Sequence, residues 1–367
     1  MAKKKVTNAP TFYDMSNMLS LNATYNIIFG ERSNGKTFAI LSECIRDYVA
    51  TGRQLAIIRR FDEDFRGAKK NPFAGVTAEG VVSALTNDEY NSVYGYAGRW
   101  FLQKIENGVE VLRDTKPIAT AFSLTGMEHD KGSAFPDIYN VFFDEFMTRN
   151  RYLTDEFTLF MNTLSTIARH RDDIRIFMAG NTVNLTCPHM KEMGITGFKT
   201  MKQGDLKVYH YSDARLKVAI EYSDTPSKEK PSDFLFAFDN PRLNMITGRN
   251  GGWEIALYPK CPVKYNKSDI AYTYIIEYDG ETLQCDIVYT DDCSFTMIHK
   301  KTTPVKDDDY TLVYNLVESG KNNHRKNIKR CSSELEGKIF MFFKMDKVFY
   351  QSNEVGELVR NYLEECK

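Results

Sequence analysis

The sequence predicts an α/β fold with a mostly parallel sheet over roughly residues 20–190, followed by a second, β-rich domain. Three observations predict it. Short apolar runs stop abruptly at glycine, arginine or acid, as buried strands do when they feed turns. Segments with apolar residues at helical spacing stand between those runs, and strands alternating with helices argue for parallel pairing. Past residue 198 the alternation ends, lysine becomes more frequent, and short strand-like runs with one clear hairpin turn follow.

The elements come in this order. Residues 1–20 carry a basic tip, Lys3 to Lys5, and the turn-like Asn8-Ala9-Pro10, and read as an arm. Tyr25-Asn26-Ile27-Ile28-Phe29 is a buried strand ending at Gly30, and Phe38, Ile40, Leu41, Ile45, Tyr48 and Val49 mark a helix after it. Leu55-Ala56-Ile57-Ile58 is a second strand, stopping at Arg59-Arg60. Residues 93–112 alternate like edge strands around an Asn107-Gly108 turn, and 118–124 reads as a further strand. Tyr139-Asn140-Val141-Phe142-Phe143 runs into Asp144-Glu145, and 174–179 runs into Gly180-Asn181. Between them Phe157, Phe160, Met161, Leu164 and Ile167 have helical spacing. The exposed stretch 225–231 reads as a linker, which divides the chain into 1–197, a connecting 198–230, and 231–367. In the last part 253–258, 271–278, 283–289 and 294–299 are strand-like, Asp279-Gly280 is a hairpin turn, and helical spacing returns near 355–363.

Composition bounds the function. A chain of 367 residues is long enough for two domains, and 42% apolar with 26% charged residues is ordinary globular usage. The formal net charge of -1 gives no global field toward nucleic acid, so a polyanion would be held by local patches. Seven scattered cysteines with no C-x-x-C pair suggest neither a zinc finger nor a disulfide framework, and a reducing compartment is expected. No run of about eighteen uncharged apolar residues predicts a membrane span, and no signal-like segment leads the chain, so a soluble intracellular protein is expected.

Gly30-Glu31-Arg32-Ser33-Asn34-Gly35-Lys36-Thr37 matches G-x-x-x-x-G-K-[ST] in the setting that motif needs, a strand before and a helix after. Backbone N–H groups there surround a phosphate, Lys36 reaches the β- and γ-phosphates, and the Thr37 hydroxyl ligates Mg²⁺. Asp144-Glu145 supplies what the loop lacks, an acid to hold Mg²⁺ through water and a carboxylate to activate water. By itself an apolar run ending in two acids is as well read as a solvated strand end. Asn181 stands where an amide would sense the γ-phosphate, and Gly180-Asn181 is equally a turn.

A cation facing the departing phosphoryl group is often supplied by a neighbouring subunit. Arg169-His170-Arg171 ends a predicted helix and is a candidate, as it is also an ordinary cationic helix end. Lys131 is a second candidate. Arg59 and Arg60 leave a strand at the ligand edge, where nucleotide, DNA phosphate, Asp62 and Glu63 are all available partners. Cys187 and His189 read as incidental, not as metal ligands. Residues 321–330 hold five Lys or Arg and no acid, equally a phosphate-backbone contact or a solvated loop. Asp269, Glu277, Asp279, Asp286, Asp291 and Asp292 raise a two-metal nuclease as an alternative, although no spacing brings them together.

Taken together, residues 30–37, the strand ending at Arg59-Arg60, Lys131-Gly132-Ser133-Ala134-Phe135-Pro136, Phe142-Phe143-Asp144-Glu145-Phe146, and Arg169-His170-Arg171 with Gly180-Asn181 resemble the DNA-packaging ATPases of phi29-like bacteriophages. The likeness is specific over about 20–190 and weaker beyond. It implies a RecA/ASCE-type ATPase domain, ATP and Mg²⁺ as ligands, and Lys36, Thr37 and Asp144 around them. Glu145 would be the catalytic base, Arg169 the arginine acting in trans with Arg171 as the open alternative, Lys131 near that interface, and Asn181 the sensor. The resemblance further implies a homopentameric ring on the procapsid portal that moves double-stranded DNA, a vestigial RNase H-like nuclease domain at the C-terminal end, and in some relatives a packaging RNA. The place of action would be the host cytoplasm, transiently on the procapsid. Two other readings stay open, a motor with a working nuclease and a nucleotide-gated structural or signalling protein.

Overall fold

The computed structural model describes residues 13–32, 34–66, 71–126, 134–149, 152–211, 215–224, 256–261, 263–305 and 308–366. They fall into two compact units, with Val183–Cys187 grouped with the second.

In the first unit the elements are α1 (Ser16–Ser20), β1 (Tyr25–Gly30), α2 (Lys36–Thr51), β2 (Gln54–Arg59), α3 (Ala74–Ala78), α4 (Val81–Leu85), β3 (Ser92–Tyr96), β4 (Arg99–Glu106), β5 (Val109–Arg113), β6 (Ala119–Ser123), β7 (Ile138–Asp144), α5 (Glu156–Ala168), β8 (Arg175–Asn181), α6 (Pro188–Glu192), β9 (Leu206–Tyr211) and β10 (Leu216–Tyr222). They form one ten-stranded sheet in the order β3-β4-β6-β2-β7-β8-β1-β10-β9, with β5 paired to β4. The six strands from β6 to β10 along that order are parallel. Runs such as Ile27-Ile28-Phe29 and Val141-Phe142-Phe143, apolar at every position, suit strands covered on both faces, and all six residues of β1 are buried. On one face α2 lays Ile40, Leu41, Cys44 and Ile45 against a core that includes Ile28, Ile57, Phe142 and Phe177. β8 lies between β1 and β7, so the carboxyl ends of these three strands share one edge, with Gly30 beside Asn181 and Asp144 beside Ala179.

Two sequence expectations need correcting. The supposed connecting stretch 198–230 contains β9 and β10, and β10 extends the parallel sheet beyond β1, so the first unit runs past residue 197. The short apolar run Val218, Ala219, Ile220 was hidden between Lys217 before it and Glu221 after it, beyond the exposed β9 with Lys207. Nor do residues 13–20 form an arm. Tyr13, Met15 and Met18 are buried in the core, and the Tyr13 N–H donates to the Asn34 carbonyl at 3.2 Å. Residues 1–12 lie outside the described residues.

The second unit holds β11 (Ile270–Tyr278), β12 (Glu281–Tyr289), β13 (Ser294–Lys300), β14 (Val313–Asn315), β15 (His324–Arg325), α7 (Glu334–Lys344), β16 (Val348–Tyr350) and α8 (Asn353–Glu365). Its six strands order as β15-β14-β11-β12-β13-β16. β11, β12 and β13 are antiparallel neighbours, whereas β14 joins β11, β15 joins β14, and β16 joins β13 in parallel. The predicted Asp279-Gly280 turn is present, with φ of 53° and 76°, the left-handed pair that a two-residue hairpin requires. Tyr274, Ile276, Cys285, Ile287 and Ile298 pack beneath Ile339, Phe342, Val355 and Tyr362 of the two helices. The sequence reading missed α7, although Ser333-Glu334-Leu335-Glu336 is a capping signal and the Ser333 Oγ does accept from the Glu336 N–H at 3.2 Å. The strand expected over 253–258 is not seen at 256–258, and 253–255 lie outside the described residues.

Candidate active site

At the carboxyl edge of β1 the chain turns sharply into α2. Gly35 caps the helix at φ 92°, a conformation that side chains rarely adopt. Gly30 is required for space, since a Cβ there would lie 2.2 Å from the Ser223 Oγ. The turn leaves the first N–H groups of a 16-residue helix at the sheet edge, where they favour an anion. Lys36 is buried within the turn. Its Nζ donates to the Glu31 carbonyl at 2.6 Å, to Asn34 Oδ1 at 3.0 Å and to Asn181 Oδ1 at 3.3 Å. The structure thus brings four of the candidate nucleotide-binding residues, Lys36, Asn34, Glu31 and Asn181, together, with the ammonium held at the end of β8. Thr37, the second residue of α2, is partly buried, and Arg32 is exposed. Ser33 and Lys131 lie outside the described residues.

Asp144 ends β7 and is buried. Arg59 Nη2 donates to its Oδ2 at 2.6 Å, while Arg59 Nη1 donates to the Asp64 carbonyl at 3.0 Å. Asp144, the candidate metal-holding acid, was not among the partners foreseen for Arg59. Glu145 follows with an exposed side chain and a left-handed backbone, φ 58°. Gly180 lies close to the same segment, because a Cβ on it would come within 2.8 Å of the Phe146 ring. Arg60 takes Glu156 as its acid partner at 2.8 Å.

The structure separates the two helix-end arginines. Arg171 Nη2 donates to the carbonyls of Phe135, Ile138 and Ile167, and its guanidinium covers the Tyr139 ring at 4.8 Å. Arg169 is exposed at the C-cap of α5, with φ 51°. The helix, thirteen residues and about 20 Å long, carries the chain from the end of β7 toward the start of β8, with Arg169 at its far end.

Sequence reasoning missed Ser223, whose Oγ accepts from Asn34 Nδ2 at 2.6 Å and donates to the Phe29 carbonyl at 3.1 Å. The two partners are 189 positions apart in sequence, and no local pattern announces the pairing. It weighed His189 only as a metal ligand and did not foresee its partner, Glu156, which lies 2.9 Å from its Nε2 in a fully buried contact.

In the second unit the basic stretch is partly spent on the fold. Arg325 pairs with the buried Glu336 at 2.8 Å, and Lys329 Nζ donates to the carbonyls of Leu363 and Cys366 at the end of α8. Asp286 is likewise engaged, by Thr273 at 2.7 Å, Gln284 at 3.0 Å and His299 at 3.2 Å. Among the described residues no group of three or more His, Cys, Asp or Glu is placed to hold a metal ion.

The podovirus DNA encapsidation protein (Gp16) family matches residues 7–346. The DNA packaging protein of Bacillus phage phi29 is 21% identical over 277 residues, 74% of this chain and 74% of that protein. That of Bacillus phage B103 is 24% identical over 181 residues, covering 48% of this chain and 50% of it. Two solved structures are similar across the length of both chains. The bacteriophage Phi-29 viral genome packaging motor assembly matches at a TM-score of 0.57 with 19% identity, covering 97% of this chain and 99% of its own. The Phi-28 gp11 DNA packaging motor matches at 0.53 with 17% identity, covering 98% and 99%. Both have the same mixed α/β fold.

Proposed function

The chain belongs to the podovirus DNA encapsidation protein (Gp16) family, and from that premise we propose how its phosphate loop and β7 edge power DNA packaging. The protein is an ATPase that drives DNA translocation in a phage packaging motor. The observation that carries the site assignment is the Lys36 ammonium, held by Glu31, Asn34 and Asn181 at the edge where Asp144 and Glu145 end the adjacent strand but one.

The phosphates enter the turn from Gly30 to Thr37, taking the free N–H groups of α2, and Lys36 exchanges the Glu31 carbonyl for β- and γ-phosphate oxygens. Thr37 and Asp144 present a hydroxyl and a carboxylate, the hard oxygen donors that Mg²⁺ prefers, and bound there it would neutralise phosphate charge. Asp144 exchanges Arg59 for that role. Glu145, exposed beside it, orients and deprotonates the attacking water. Asn181 contacts Lys36 and so senses whether the γ-phosphate is present. Arg169, exposed at the far end of α5, serves the next subunit, and Arg171 does not, because its donors already satisfy four carbonyls. Lys131, outside the described residues, is the second cation we assign to hydrolysis across that boundary.

A ring follows from a site shared between subunits, and five copies on the procapsid portal around double-stranded DNA is the arrangement we favour, acting in the host cytoplasm and, in some settings, with a packaging RNA. The first unit is then a RecA/ASCE-type ATPase domain. The second is a nuclease-like domain of RNase H type without its chemistry. Three antiparallel strands, with β14 added in parallel to β11 and β15 to β14, support the fold, and the engagement of Asp286 supports the loss.

The test is ATP turnover with and without double-stranded DNA and portal-bearing procapsids, alongside two variants. Lys36→Ala is expected to lose nucleotide binding, and Glu145→Gln to bind nucleotide and fail to hydrolyse it. Turnover indifferent to DNA and procapsids would remove the motor reading, and normal turnover by Glu145→Gln would remove the assignment of the base.

A further inference from the structure

We propose that Arg60 is a positioning residue for hydrolysis, clamping the strained peptide that carries Glu145. The inference rests on Glu145 acting on the water.

Glu145 is held at φ 58°, a region that costs energy for any residue with a side chain and persists only where the surroundings enforce it. The contact that enforces it is made to the two carbonyls that follow the strained angle. Arg60 Nη1 donates to the Glu145 carbonyl and Arg60 Nη2 to the Phe146 carbonyl at 2.6 Å. One planar guanidinium therefore fixes two successive peptide oxygens, which a lysine ammonium has no fork to do. The Phe146 N–H in turn donates to the Ala179 carbonyl of β8 at 3.1 Å, so the segment is tied on both sides.

The clamp is itself locked. Arg60 Nε and Nη2 meet the two oxygens of Glu156 at 2.9 Å and 2.8 Å. Glu156 also accepts from the Leu153 N–H at 2.9 Å and faces His189 Nε2 at 2.9 Å. Arg60 lies over the rings of Phe143 and Tyr152, and the His189 ring is enclosed edge-on by Phe143, Phe146, Phe157 and Phe160. Burial alone would raise the Glu156 carboxyl, yet His189 and Arg60 outweigh it and hold it below its usual range. Burial pushes the His189 imidazole down, so a neutral ring donates to an ionised carboxylate.

A buried ion pair is seldom the most stable way to fill such a space, and apolar side chains of similar volume do as well or better. What an apolar side chain lacks is a donor for the carbonyls beside Glu145. With the clamp gone that peptide relaxes toward an extended conformation and the carboxylate moves. A displacement of about 1 Å at a reacting group costs up to ~100-fold in rate. Arg60 touches neither Lys36 nor Asn34, so nucleotide binding is spared.

The experiment compares Arg60→Met, Arg60→Lys and Glu156→Gln with the unaltered full chain and Glu145→Gln, reading the unfolding midpoint, affinity for a fluorescent ATP analogue, and kcat. The expected result is folded protein, affinity within about twofold, and kcat lowered at least ~10-fold in Arg60→Met, with Arg60→Lys between it and the unaltered chain. A folded Arg60→Met with unchanged kcat overturns the proposal. If Arg60→Met does not fold, unchanged kcat in both Arg60→Lys and Glu156→Gln overturns it equally. A loss of affinity matching the loss of kcat also counts against it, because that is damage to the loop. Glu145→Gln separates the two failures. If it hydrolyses ATP normally, the role of Glu145 falls and the clamp with it. If it is inactive while the Arg60 variants are unimpaired, the clamp alone falls.

Discussion

Replacing Ser223 by alanine removes one oxygen from a site that contacts no phosphate, yet it is expected to weaken nucleotide binding. The Ser223 hydroxyl accepts from Asn34 Nδ2 at 2.6 Å, and Asn34 Oδ1 in turn accepts from Lys36 Nζ at 3.0 Å. Ser223 is wholly buried and Asn34 is 5% exposed, so water does not readily replace the lost acceptor. A buried amide donor left without a partner costs about 1–3 kcal/mol. The loop can recover part of that by rotating Asn34, which releases Lys36 and lets the turn sample other shapes. If the phosphate-ready shape is disfavoured by about 1.4 kcal/mol, affinity falls roughly tenfold. Titration with a fluorescent ATP analogue, beside urea unfolding of the same protein, measures both consequences. An unchanged Kd with a lowered unfolding midpoint would refute the reasoning, since Ser223 would then support the fold without shaping the loop.

Two further outcomes follow from the geometry. Arg169→Ala is expected to abolish DNA-stimulated turnover while binding nucleotide normally, and mixtures with Lys36→Ala subunits are expected to regain part of it; no recovery at any mixing ratio would place the arginine in its own site. His299 bridges Asp286 and the Lys300 carbonyl with both ring nitrogens, which suits an imidazolium, and its pKa is raised chiefly by the Asp286 hydrogen bond, with burial and Lys301 opposing. A raised histidine contributes stability fully below its usual value near 6.5 and loses it as pH rises through the folded value. Asp286 is held low, by His299, Thr273 and Gln284 against the effect of burial, and loses its contribution only as pH falls through that lowered value. His299→Leu should therefore cost about 1 kcal/mol near pH 5.5 and much less above pH 8, by urea unfolding; an equal cost at both would refute the pairing.

Much of the parallel sheet was legible because four of its strands are apolar runs that stop at a glycine or a polar residue, Gly30, Arg59, Asp144 and Asn181. The phosphate loop was legible because its chemistry is local: Gly30, Asn34, Gly35 and Lys36 meet within one turn. What supports the loop was not. Ser223 reaches it from β10 and Tyr13 from the other end of the chain, the latter also bonding Glu221 at 2.5 Å. Both are long-range pairings of common residue types, which periodicity does not report. The clamp at Arg60 was half visible, as an arginine at the ligand edge, but the choice of Glu156 over Asp62 or Glu63 depends on where α5 starts. α7 was overlooked because a dense apolar run after its cap masks helical spacing.

The charges of residues 321–330 bear on how DNA is gripped. Read along the chain, five cations without an acid are equally a backbone contact and a solvated loop. In the fold Arg325 is tied to a buried glutamate and Lys329 closes the last turn of α8, so releasing either for phosphate would cost the second unit part of its packing. The net charge of -1 adds no overall attraction for a polyanion. Each phosphate contact adds nearly one unit to the salt dependence of binding, so many contacts would hold DNA too firmly to release at every cycle. Weak attachment through few charges is the condition under which hydrolysis at one site advances the duplex instead of pinning it.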